Sequence, residues 1–129
     1  MSGSLLRLFL PLAVILTALS TSCTKDHEGR VVPGTINLEI SAIHHSWGVP
    51  YVPVHLKMNT REFPGEDSAS YDFHGLCDNE GKVRFEQLYP GDYFVYIKGY
   101  DLIWGDTVTG KVALQLQQPS VNVTVRVNE

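Results

Sequence analysis

The 129-residue chain has only two cysteines, Cys23 and Cys77. Two thiols are too few for the disulfide framework of a small secreted domain or for a thiolate metal cluster. Positive charge is also scarce: 10 Lys and Arg stand against 14 Asp and Glu, a formal net charge of -4. Phosphate binding needs clustered cations, so this balance argues against nucleic acid as a partner. After residue 33 no apolar stripe recurs at helical spacing, which disfavours a helical domain. Long apolar runs are confined to one, at the beginning. Yet 43% of the residues are hydrophobic and 19% charged, a balance that suits a folded chain and one domain of ordinary size.

The apolar run is Leu5 to Leu19, with Arg7 as its one charge and Ser20-Thr21-Ser22 behind it. It is short for a bilayer span, and Pro11 would disturb a spanning helix. A basic residue, an apolar block and small polar residues read as a secretory signal peptide. Ala18-Leu19-Ser20 offers an ordinary cleavage site, while Cys23 directly after the small residues offers another. The Cys23 arrangement resembles bacterial lipoproteins, with Ser20 where that box usually holds Leu. The resemblance implies a leader over 1–22, diacylglycerol or palmitate on Cys23, and a flexible tether over 23–33. Two acyl chains anchor a protein stably, so the domain itself need not touch the membrane. Lys25-Asp26-His27-Glu28 resembles the surface-export signal of Bacteroidetes lipoproteins, and Asp67-Ser68-Ala69 and Asp106-Thr107-Val108 resemble that phylum's O-glycosylation site at Ser68 and Thr107. These similarities imply an outer-membrane, surface-exposed location.

From residue 34 to 129 the period is two. Ile36, Leu38 and Ile40 alternate with polar neighbours, as do Val52 to Met58, Tyr71 with Phe73, Val83 with Phe85, Tyr93 to Ile97, Val112 to Leu116 and Val121 to Val127. Only a strand sends successive side chains to opposite faces, so seven strands are expected. Asp78-Asn79-Glu80-Gly81 reads as a tight hairpin turn and Pro90-Gly91 as a type II turn. The expectation is an all-β, antiparallel sandwich.

The stretch from Asp78 through Gly81, Val83, Phe85, Leu88, Pro90, Gly91 and Tyr93 to Val95 resembles the signature of carboxypeptidase-regulatory-like domains and Cna protein B-type repeats. That resemblance implies a transthyretin-like (prealbumin-like, Ig-like) sandwich with Leu88 and Tyr93 plugging the core. It lends a fold and almost no function.

Candidates for chemistry are few. His44 and His45, as strand neighbours, should point to opposite faces unless the chain turns there; with His27, His55 and His74 they are expected to face solvent. No zinc-enzyme spacing occurs, and neither metal nor cofactor is expected. Cys77 has no recognisable base or oxyanion donor and reads as a small residue at a strand end. Asp101 and Asp106 read as solvated loop carboxylates. The chain ends Val125-Arg126-Val127-Asn128-Glu129, unlike the terminal motif of hydroxyisourate hydrolases, and no dioxygenase spacing is present. No enzyme is expected. The aromatic loops are more suggestive: Trp47 and Tyr51 in one, Tyr100 and Trp104 in another, either capping the core or serving as a platform for a protein partner or a glycan. Phe94 and Tyr96 fall on the outer face of their strand, where a partner or the tether would be needed to cover them.

Overall fold

The computed structural model describes residues 34–129; the expected signal peptide over 1–22, Cys23 and the expected tether over 23–33 lie outside the described residues. Alternating sequence becomes alternating burial. In β1 (Ile36–His44), Ile36, Leu38, Ile40, Ala42 and His44 are buried while every residue between them is half-exposed. Among the described residues the other strands are β2 (Trp47–Gly48), β3 (Pro53–Met58), β4 (Phe73–Leu76), β5 (Lys82–Leu88), β6 (Gly91–Asp101), β7 (Asp106–Leu116) and β8 (Ser120–Arg126), with one 3-10 turn at Ser68–Ser70.

The strands form two sheets facing each other across one core. In the first, β1 is central: β5 pairs with it antiparallel on one edge, β8 runs parallel to it on the other, and β2 folds back as a short hairpin at its end. The second has the order β4-β3-β6-β7, all antiparallel. The all-β sandwich is therefore as expected, with two differences. An eighth strand, β2, is only two residues long and too short to show a period. The β1–β8 pair is parallel, joining strands far apart in sequence, and alternation cannot reveal direction.

The core is filled by the inward phases of both sheets, among them Leu38, Ile40, Val54, Leu56, Leu88, Tyr93, Val95, Ile97 and Leu116. Burying each large aliphatic side chain contributes roughly 1.5–3 kcal/mol against the cost of ordering the chain. Leu88 and Tyr93 do plug the core beside Pro90-Gly91, and the Tyr93 hydroxyl donates to the Tyr89 carbonyl at 2.8 Å. Neither Pro90-Gly91 nor the 78–81 turn closes a hairpin within a sheet. β5 lies in the first sheet while β4 and β6 lie in the second, so both turns carry the chain between layers. Gly81 has φ +82, and a Cβ there would meet the Val49 nitrogen at 2.6 Å and the Ala42 carbonyl oxygen at 2.9 Å. Glycine is required for both the dihedral and the close approach.

The outer face of the second sheet departs from expectation. Phe94 and Tyr96 are buried, and the segment between β3 and β4 packs over them. Phe63 packs on both rings, and Tyr71 stacks on Tyr96 at 5.8 Å. Tyr71 is thus not a strand residue sharing a face with Phe73; it sits in the loop just before β4. Lys111 Nζ lies 4.1 Å over the Phe63 ring, and Lys98 Nζ donates to Glu66 Oε1 at 3.0 Å, pinning the loop's rim.

Candidate functional site at one end of the sandwich

Three strands bring their inward phase to the same end of the core and finish it with a titratable group. In β1 the series Leu38, Ile40, Ala42 ends at His44; in β6 the series Tyr93, Val95, Ile97, Gly99 ends at Asp101. Past β8, Val125 and Val127 are followed in phase by Glu129. The groups meet. His44 donates from Nδ1 to Asp101 Oδ2 at 2.7 Å, with both side chains almost wholly buried, and its Nε2 lies 3.0 Å from Glu129 Oε2.

A buried carboxylate beside a buried imidazole favours the ion pair. The hydrogen bond that His44 donates to Asp101 lifts His44 above 6.5 against the opposing effect of burial, with Glu129 adding to the lift. Burial pushes Asp101 up, but hydrogen bonds from His44 and from the Ile103 and Trp104 N–H groups outweigh it and hold the carboxyl below 3.8. Those two N–H groups reach Asp101 Oδ1 at 2.8 and 3.3 Å, so the same carboxylate also shapes the β6–β7 turn.

His44 is therefore not solvent-facing, and Asp101 is not a solvated loop carboxylate. The signal for both was the strand phase, which runs three residues past Ser41 in β1 and four past Ile97 in β6. Nor do the two neighbouring histidines diverge. His45 and Ser46 take φ 51 and 72, a two-residue hairpin turn that reverses the chain and brings the His45 ring to 4.0 Å from that of His44. His45 Nε2 lies 3.4 Å from Glu129 Oε2, and Trp104 packs on the His45 ring at 4.6 Å.

Around this polar knot stand the exposed aromatics: Trp47 lies in β2 and Tyr100 in β6, not in loops as expected, while Tyr51 and Trp104 fall in turns between strands. Trp47 is 63% exposed, Tyr51 53%, Tyr100 54% and Trp104 49%, so neither tryptophan caps the core. Strand polarity places them together: β1, β6 and β8 finish at this end, and β3, β5 and β7 start there. Leu76, Leu102 and Ile103 are exposed beside them. The chain enters the sandwich at the opposite end, where residue 34 precedes β1.

The other candidates are placed as follows. Ser68 and Thr107 are both exposed. His55 and His74 face each other across β3 and β4 with Nδ1 atoms 2.8 Å apart, within hydrogen-bond distance. Cys77 is buried, and burial with the nearby Asp78 pushes its thiol up to about 12, so it holds no thiolate at neutral pH. On the outer face of the first sheet, Asn37, Glu39, Arg84, Ser120 and Asn122 line an open polar hollow of about 250 Å³.

No family model and no curated protein matches the sequence. Two crystal structures of the major pilin subunit of Bacillus cereus superpose with a TM-score of 0.50 at 16% identity, over 76% and 74% of this chain. A minor pilin of Streptococcus agalactiae gives a TM-score of 0.45 at 17% identity over 75% of the chain. The chain corresponds to only 31% and 30% of the Bacillus subunit and 45% of the Streptococcus one. At such identities the likeness is one of fold: the sandwich is shared with part of a pilin subunit.

Proposed function

We propose that the protein is a cell-envelope lipoprotein, held by diacylglycerol on Cys23 at the outer membrane surface. On this reading it presents a non-catalytic β-sandwich as an adhesion or accessory module. The observation that carries the reading is polarity. The chain enters the sandwich at residue 34, and the exposed aromatics lie at the far end of β1. Nine strand residues at ~3.3 Å each span about 30 Å. An anchor joined through residue 34 would thus attach at the end of β1 away from Trp47, Tyr51, Tyr100 and Trp104.

The composition of that tip favours a protein partner. Leu76, Leu102 and Ile103 are exposed among the aromatics, and such a mixture suits the apolar centre of a protein interface. A glycan-binding lipoprotein serving nutrient uptake is the alternative, in which Trp47, Tyr100 and Trp104 would stack on sugar rings. Catalysis has little support. The thiol of Cys77 is sealed, and the outer nitrogen of the His44–Asp101 pair meets a carboxylate, not a nucleophile. The similarity in fold to a pilin subunit agrees with a surface module without assigning its partner.

Radioactive palmitate supplied to growing cells should label the wild type and not Cys23→Ala, and protease added to intact cells should remove the domain. Attachment of the domain to partner cells should be lost in Trp47→Ala/Trp104→Ala, with no signal on a glycan array. Absent label or a protected domain overturns the surface lipoprotein; tryptophan-dependent glycan binding selects the alternative.

A further inference from the structure

We propose that His44, His45 and Glu129 form a divalent transition-metal site, of the zinc class, at the exposed tip of the sandwich. The donors are two imidazole nitrogens and one carboxylate oxygen, a set suited to zinc and its late-transition neighbours and unlike the all-oxygen sites of calcium or magnesium. One ring nitrogen each of His44 and His45 and one carboxylate oxygen of Glu129 lie within 4.8 Å of one another. Two of the separations are 3.0 Å (His44 to Glu129) and 3.4 Å (His45 to Glu129). Ligand atoms ~2.0–2.1 Å from a tetrahedral ion stand about 3.3–3.4 Å apart, so the two separations to Glu129 nearly suit an ion already and the rearrangement left is in the spacing of the two histidines. His45 and Glu129 are about half exposed and free to make it.

Asp101 supplies what the three ligands alone would lack. Its Oδ2 accepts the Nδ1 proton of His44, which fixes the ring and leaves Nε2 as the coordinating nitrogen. A carboxylate behind a metal-binding histidine does this, and here the carboxylate is itself buried and held by two backbone N–H groups. Binding would displace the proton between His44 Nε2 and Glu129, with Glu129 turning its oxygen to the ion. Three protein ligands leave the fourth position to a water or to a donor atom of an incoming partner, at the edge of the aromatic patch.

The test uses the full-length chain, purified in detergent without a histidine tag and titrated with zinc chloride by calorimetry and native mass spectrometry. One equivalent should bind, with magnesium and calcium failing to compete. His45→Ala and Glu129→Gln should each weaken uptake at least tenfold, while His55→Ala and His74→Ala leave it unchanged. Asp101→Asn, a positioning change, should weaken it about 10–100-fold and alter the spectrum of the cobalt-substituted site. If Asp101→Asn fails to fold, the two half-exposed ligand variants still decide. No saturable uptake by the wild type, uptake that survives both ligand variants, or uptake lost with His55 or His74 overturns the site.

Discussion

Phe63 lies over Phe94, ring centroids 5.8 Å apart and tilted 47°, and so closes a second small core on the outside of the β4-β3-β6-β7 sheet. Tyr96 and Tyr71 complete it, and the Tyr71 hydroxyl donates to the Gly65 carbonyl at 2.8 Å, which folds the loop onto the sheet. Both faces of β6 are consequently apolar and buried along Tyr93 to Ile97.

Phe63→Ala should uncover this layer without disturbing the main core. Each aromatic pair is worth ~0.5–1.5 kcal/mol beyond area, so losing the contacts to Phe94 and Tyr96 should destabilise by about 1–3 kcal/mol. Binding of a hydrophobic dye should rise as the Phe94 and Tyr96 rings become accessible. Urea denaturation and dye fluorescence check both; an unchanged midpoint with unchanged dye binding would mean that the loop does not seal the sheet.

Strand identity was legible because alternation has one physical cause, the opposed directions of successive side chains, and it marked the inward Ile36, Leu38, Ile40 and Tyr93, Val95, Ile97. It could not reveal that β8 pairs parallel with β1, or that Asp78–Gly81 crosses between layers, since both depend on long-range register. The knot of His44, Asp101 and Glu129 was half legible: each continues the inward phase of its strand, but polar side chains at those positions look like loop residues until the strands are extended through them. The His44–His45 convergence was not legible. It depends on His45 and Ser46 both adopting positive φ, which glycine or asparagine would normally announce.

Cys77 should be inert in the folded protein. Its thiol is pushed up to about 12, chiefly by burial, and its backbone N–H is tied to the Val52 carbonyl at 3.0 Å. Iodoacetamide at neutral pH should leave residue 77 unmodified until denaturant is added, as peptide mass mapping can follow. Rapid alkylation of the native chain at this residue would contradict the sealed environment and reopen a nucleophile there.

The His55–His74 pair should make the fold acid-sensitive. Burial, and then the charge of His74, hold His55 below its ordinary 6.5, with Tyr71 and Tyr96 against its ring. Below 6.5 the unfolded chain takes up a proton that the folded chain refuses, so this residue's contribution favours unfolding as the pH falls. The penalty is absent above 6.5 and complete once the pH lies below the folded value. His55→Gln should therefore flatten the acid side of a stability–pH profile measured by urea midpoints. A profile identical to the wild type would show that His55 titrates alike in both states.

The chain's two tryptophans, Trp47 and Trp104, both belong to the exposed end, so intrinsic tryptophan fluorescence reports that surface alone. Emission should be that of solvated indole, and acrylamide should quench it readily in the native state. Trp47→Ala should leave stability within about 0.5 kcal/mol, as is usual for an exposed side chain. Trp104→Ala should cost more, because that ring packs on His45 at 4.6 Å and edges His44 at 6.5 Å. A partner docking on the tip must then shift the emission to the blue and protect both indoles from acrylamide. Binding that leaves the wild-type spectrum and its quenching untouched would put the interface elsewhere, with the polar hollow around Glu39 and Arg84 as the surface to test next.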